Sequence, residues 1–196
     1  MPRNKTQHWE GTIMKKTLLA TAILLLAAPG VQAQPMNPAP TIAGPPTAAE
    51  MANRPARARG ISVALAVEGA MEANRVCLGN TYQTTALVTD SAGVPIAMIS
   101  NDGAKAVTQR IAMTKAQAVL KYKMTSGDVA KKAAGDPAFA AEVKANPLID
   151  TARQGAVPIM VGSELVGAFA VSGAPGGDKD EVCTKAGLAK IQDRIQ

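Results

Sequence analysis

Thr108 and Lys115 are the two residues of this 196-residue chain best placed to do chemistry. They lie in the stretch Ala104–Met124, which reads as a long helix. On a wheel of 100° per residue, Ala104, Val107, Ile111, Ala112, Ala116, Ala118, Val119 and Tyr122 cover an apolar arc of about 180°. Thr108 and Lys115 fall inside that arc, two turns apart on one line. Arg110, Thr114, Gln117 and Lys121 take the opposite side. A lysine in an apolar arc must snorkel to water, pair with a carboxylate, or lose proton affinity through desolvation. Two readings stand side by side. Lys115 packs its stem and sends its amine to water or an acid, or Thr108 and Lys115 line a pocket for an anionic ligand.

A second candidate is the glycine-rich bend Gly173-Ala174-Pro175-Gly176-Gly177. Glycines leading into a helix can cradle an anion through backbone N–H groups. Asp178, Asp180 and Glu181 follow at once, and their charges occupy the positive end of the helix dipole. Capping by Asp178, with Glu181 three residues on, is the expected local role. The bend can still form one wall of a pocket. Asp178 and Asp180 alone are too few ligands for Mg²⁺ or Ca²⁺, so no metal site is expected.

The only histidine, His8, and the only tryptophan, Trp9, precede an export-type segment. Met14-Lys15-Lys16, the apolar run Thr17–Ala28 and Val31-Gln32-Ala33 have the charge, length and small residues of a signal peptide. The apolar run is too short to span a bilayer. Cleavage after Ala33 is expected, with a start at Met14 in place of Met1 and no membrane anchor left. Periplasmic or secreted protein is the expected location. Cleavage removes four of the 21 basic residues and one of the 15 acidic ones, so the net charge falls from +6 to +3. Without histidine the usual Ser-His and Cys-His pairs are excluded. No basic cluster with interleaved aromatics occurs, so nucleic acid is not an expected partner. Cys77 and Cys183 are the only cysteines. In an exported chain they are candidates for one disulfide, against the alternative of two small buried hydrophobes.

The elements that must position these groups are legible in outline. Residues 34–60 hold Pro35, Pro38, Pro40, Pro45, Pro46 and Pro55 and read as a linker. One domain follows, at 61–196. Ile61–Leu78 reads as a helix with Glu68, Glu72 and Arg75 on its one polar stripe. Tyr82–Thr89 and Val94–Ser100 read as strands around a turn. After the long helix come shorter helices at Thr125–Ala134 and Pro137–Ala145, then a loop at Asn146–Gln154. Ala156–Val161 and Leu165–Val171 make a second hairpin around Gly162-Ser163-Glu164, and a last helix follows the bend. Two hairpins flanked by helices predict an α+β fold, one antiparallel sheet covered by helices.

The stretch Gly155–Cys183, with its core Val171–Glu181 (VSGAPGGDKDE), closely resembles the GlcG/HbpS family, often called the haem-degrading domain. The likeness extends over nearly all of residues 61–192. Thr108, Ile111-Ala112 and Lys115-Ala116 match the family's pattern along the long helix. Ala118 stands where the family commonly has threonine, and Gly155-Ala156 where it has a glycine pair, while Thr125 retains a second threonine. The resemblance implies a profilin-like α/β/α sandwich, homo-oligomers, and a planar or small anionic ligand with haem as first choice. Thr108, Lys115, Tyr122, Thr125, Gly173 and Gly176 are then the ligand-binding candidates. Haem iron would need a tyrosine, methionine, cysteine, lysine or threonine. Tyr122, Met113, Met124 and Tyr82 are the tyrosines and methionines near the long helix. For the methionines core filling is the competing role, and for Tyr122 a core site with a bonded hydroxyl. Binding with or without degradation of haem, a sensing module for a small organic acid, and a corrinoid-related role all remain open at this level.

Overall fold

The computed structural model describes residues 58–196. The signal segment at 1–33 and most of the linker lie outside the described residues.

Among the described residues nine main elements follow one another: α1 (Val63–Gly79), β1 (Thr85–Asp90), β2 (Pro95–Ser100), α2 (Val107–Tyr122), α3 (Ser126–Gly135), α4 (Pro137–Ala145), β3 (Ala156–Val161), β4 (Glu164–Ser172) and α5 (Gly177–Ile191). A short 3₁₀ turn, Gln192–Arg194, closes the chain. The strands form one antiparallel sheet in the order β2-β1-β4-β3. Both hairpins predicted from the turn residues are present, and their inner strands β1 and β4 pair over the full length of β1, from Thr85–Ser172 to Asp90–Gly167.

Strand side chains alternate between faces, and each face carries its own core. Ala86 and Val88 of β1, Val157 and Ile159 of β3, and Phe169 and Val171 of β4 pack with α1 and α5. Leu87, Ala156, Ala168 and Ala170 pack with Ala112, Ala116 and Val119 of α2. The second face is built mostly of alanines, so α2 lies close on the sheet. A third cluster, Ala118, Val129, Phe139, Val143 and Ile149, joins α3 and α4 to the flank of α2. The layers are helix, sheet, helix, as an α+β sandwich requires.

Local chemistry sets the ends. The Ser62 hydroxyl accepts the Leu65 N–H at the start of α1, Thr125 accepts the Asp128 N–H at α3, and Asp136 accepts two N–H groups ahead of Pro137 at α4. Helix α2 is shorter than the periodicity predicts: Ala104–Ala106 stay outside it, and Lys123 ends it in the left-handed region. Residues 58–60, read as linker, already join the domain. The Arg59 carbonyl accepts the Ser91 N–H, and its guanidinium meets Glu164 at 2.6 Å.

Cys77 and Cys183 form a disulfide between α1 and α5, with Cα atoms 5.6 Å apart. Among the described residues no helix is long and apolar enough to cross a membrane.

Candidate functional site

Lys115 sits on the face of α2 toward the sheet, with only 3% of its surface exposed. Its Nζ donates to Asp180 Oδ2 at 2.6 Å and to the Val171 carbonyl at 2.9 Å. Asp180, in the first turn of α5, is as buried as its partner, and its Oδ1 accepts the Ala174 N–H. The pair therefore ties α2 to the end of β4, to the glycine-rich bend and to α5. Burial pulls the Lys115 ammonium below the ordinary lysine range, and the nearby Arg153 charge adds to this; Asp180 opposes both. Burial likewise pushes the Asp180 carboxyl up, against the pull of Lys115 and the Ala174 N–H. The partner expected of a ligand is supplied by the chain itself.

Asp178 does not cap α5. The cap position is Gly176, without a side-chain hydrogen bond, and Glu181 turns instead to Lys185 at 2.5 Å. The acid that matters is Asp180, and a signal for it was present. Asp180, Cys183, Thr184, Gly187 and Ile191 recur at the helical positions i, i+3, i+4, i+7 and i+11, and all are buried.

Thr108, the second residue of α2 and 4% exposed, belongs to a chain of hydroxyls. Its Oγ1 lies 2.7 Å from the Lys105 carbonyl, which can only accept, so Thr108 must donate there. The Thr85 hydroxyl, 2.7 Å away, must then donate to Thr108, and Ser100, 2.8 Å further, to Thr85. Gln109 Nε2 donates to Ser100 at 3.3 Å and starts the chain. Every hydrogen points toward Lys105. Thr108 thus has one lone pair left and no hydrogen for an anion.

Between α2 and the bend lies an open cleft of about 510 Å³, within the ordinary range for small-ligand sites. Val107 and Ile111 form its apolar wall. These two residues of the predicted inward arc therefore face the cleft and not the core. Gly173 to Gly177 form the opposite wall, and Thr108, Lys115, Ser172, Arg153 and Asp178 supply polar groups. Arg153 stands in the loop before β3, where no periodicity marks it. Its guanidinium makes one long contact, 3.4 Å to the Thr151 carbonyl, and no ion pair among the described residues.

The cleft gathers Thr108, Lys115, Gly173 and Gly176. Tyr122 and Thr125 are not among its lining residues. Tyr122 packs edge-on against Phe139 at 4.8 Å and donates its hydroxyl to Glu142 at 3.1 Å. Burial and Glu142 push that phenol above its ordinary range. The α3–α4 pair wraps this flank of α2. Thr114, which the wheel puts on the polar side, is also buried. Thr125 is spent on capping α3. Met113 packs against the alanine face and Met124 beneath α3 and α4.

The profile of the family described as haem degrading protein, HbpS-like, matches residues 61–189. The chain belongs to this family. Solved structures agree at the level of the fold. A crystal structure of HbpS is similar at 24% identity and TM-score 0.60, over 68% of this chain and 92% of that one. The protein ORFY of Klebsiella pneumoniae reaches TM-score 0.64 at 17% identity, over 74% and 98%. PduOC, solved as a complex with haem, reaches 0.62 at 14% identity, over 70% and 97%. No curated protein matches the chain.

As a haem site, the cleft divides into what fits and what does not. Its apolar wall suits a flat macrocycle, and Arg153 suits a carboxylate. For iron the lining offers oxygens, from Thr108, Gln154, Ser172, Asp178 and Asp180, and one amine, Lys115, which Asp180 and the Val171 carbonyl already hold; it has no imidazole, thiolate, thioether or phenol. The fit is to the edge and faces of a porphyrin, with weak ligation at its centre.

Proposed function

We propose that this is an exported domain that binds haem, or a closely related carboxylate-bearing planar molecule, in the cleft between α2 and the Gly173–Gly177 bend. One observation carries the reading. An apolar wall, Val107 and Ile111, stands beside an arginine, Arg153, that has no carboxylate partner among the described residues. An unpaired guanidinium on a cleft wall is suited to forked hydrogen bonds with a carboxylate. The family membership and the haem complex of PduOC, a structural neighbour, support haem as the first ligand to test.

In this reading Arg153 would hold a carboxylate at the mouth, Val107 and Ile111 would exclude water from the macrocycle, and Thr108 would offer its free lone pair to the ligand. The Lys115–Asp180 pair keeps the bend in place and does not touch the ligand's charge. Gly173 and Gly176 shape the wall, while Tyr122 and Thr125 support the flank. Bound haem would supply a redox-active iron. A small organic acid is the second reading, because Arg153 would serve its carboxylate equally well.

Export is supported by the residues at Lys15–Ala33 and by the disulfide. Self-association is supported by an exposed apolar stripe on α1, Val63, Val67, Met71 and Leu78. The test is a Soret titration of the chain from Gln34 with haemin, followed by Arg153→Gln. We expect a saturable spectral change, and affinity about tenfold lower in the variant, the loss of one charged hydrogen bond. Arg110→Gln, on the exposed side of α2, should leave it unchanged. Saturation by a small carboxylic acid in a thermal-shift assay, with no response to haemin, would move the assignment to the second reading.

A further inference from the structure

We propose that the cleft has a second anion-binding lobe, across the Gly173–Pro175 ridge, which takes a second carboxylate or phosphate of the same ligand. The proposal rests on the reading of the main cleft as the ligand site.

The lobe is a separate cavity of about 310 Å³. Thr108, Gly173 and Pro175 line both cavities, so the ridge between them is one bend thick. Tyr82, Gln83 and Lys105 line only the far side. The two lobes differ in charge. Asp178 and Asp180 stand in the main cleft beside Lys115 and Arg153. The second lobe has no carboxylate on its walls. Its one charged lining residue is Lys105, which makes no ion pair among the described residues. Lys179 lies just behind, its Nζ 6.0 Å from the Tyr82 ring. The Tyr82 ring packs on the core, and its hydroxyl makes no hydrogen bond to any described residue.

An exposed lysine is by itself only a solvated charge. Here the lysine shares a concave wall with an unused hydroxyl and a side-chain amide, and no acid answers them. Low-dielectric walls of one sign focus the field on whatever enters. The Lys105 backbone is also held in place, because its carbonyl closes the hydroxyl chain from Thr108. The ridge carries no side chain at Gly173, whose φ of +131° lets it lie against the Gln83 carbonyl. A molecule with two acidic arms can therefore lie across it, with one arm on Arg153 and the other on Lys105 and Tyr82. Thr108, shared by both lobes, accepts a hydrogen at the divide, so the ligand's middle is expected to donate or to be apolar, and never anionic.

The test uses metal-free protoporphyrin IX as the di-acid and as its dimethyl ester, titrated by fluorescence against the chain from Gln34. Lys105→Gln should weaken the di-acid about five- to twentyfold and leave the ester unchanged. Tyr82→Phe should weaken the di-acid a few-fold. Lys105→Gln with Arg153→Gln should bring the di-acid down to the ester's affinity. The second lobe is refuted if Lys105→Gln leaves the di-acid unchanged while Arg153→Gln weakens it, or if Lys105→Gln weakens both compounds equally. If wild-type protein binds neither compound, the reading of the main cleft fails, and the second lobe fails with it.

Discussion

Lys115→Met tests the role of the buried pair. The substitution keeps most of the stem and removes the charge. Asp180 is then left 3% exposed with a single hydrogen-bond partner, the Ala174 N–H at 2.9 Å. Breaking a buried ion pair from one side costs about 3–5 kcal/mol, because the remaining charge stays buried. A part of that cost should disappear in acid. Burial already raises the Asp180 pKa above its ordinary 3.8 with Lys115 in place. Without the lysine the folded-state value rises further. Between 3.8 and that raised value the folded variant binds a proton that the unfolded chain has released. Its stability must therefore fall as pH rises through this window and recover as pH falls, by up to about 1.4 kcal/mol per pH unit, and the deficit against wild type grows over the part of the window above the wild-type Asp180 pKa. Urea unfolding followed by circular dichroism at pH 7 and pH 5 measures this for both proteins. The double variant Lys115→Met with Asp180→Leu should lose much less than the sum of the two single variants. A deficit that does not change with pH, or strict additivity in the double variant, would show that Asp180 is not the stranded charge.

Three other outcomes are expected. Reduction of Cys77–Cys183 under native conditions should be slow, and Cys77→Ala with Cys183→Ala should lower stability by at most roughly 4–5 kcal/mol for a loop of this length; two titratable thiols in protein taken from the periplasm would refute the bond. Intact-mass measurement of the native protein should give a chain starting at Gln34, and a product retaining Lys15 would refute export. Gly173→Ala, at φ +131° with its new methyl 2.4 Å from the Gln83 carbonyl oxygen, should cost about 1–3 kcal/mol by thermal melt and disturb binding more than Gly162→Ala, whose methyl meets nothing.

The parts of the fold that repeat were readable, and the parts that depend on distant partners were not. Both hairpins and all five helices of the described residues stood in the turn residues and periods. The wheel of α2 placed Thr108 and Lys115 on the buried side without any structure. It could not place Asp180, 65 residues away in sequence, and the helix-dipole argument treated that acid only as one of three charges at the start of the last helix. Tyr122 was read as inward, correctly, but α2 has two inward sides, and the second belongs to α3 and α4. Thr125 matched a family pattern for a reason the wheel cannot separate from capping. Arg153 was invisible because a loop has no period to depart from.

The disulfide also decides how this molecule would carry a load. Cys77 lies near the end of the first helix and Cys183 near the start of the last. All four strands, the helices α2 to α4 and the glycine-rich bend fall between them. A pull applied to the two chain ends therefore runs along α1, across one sulfur–sulfur bond, and out through α5. Tension bypasses the cleft entirely. A cut anywhere in the enclosed loop likewise leaves one covalent molecule, so a nicked protein would keep its mass until it met a reductant.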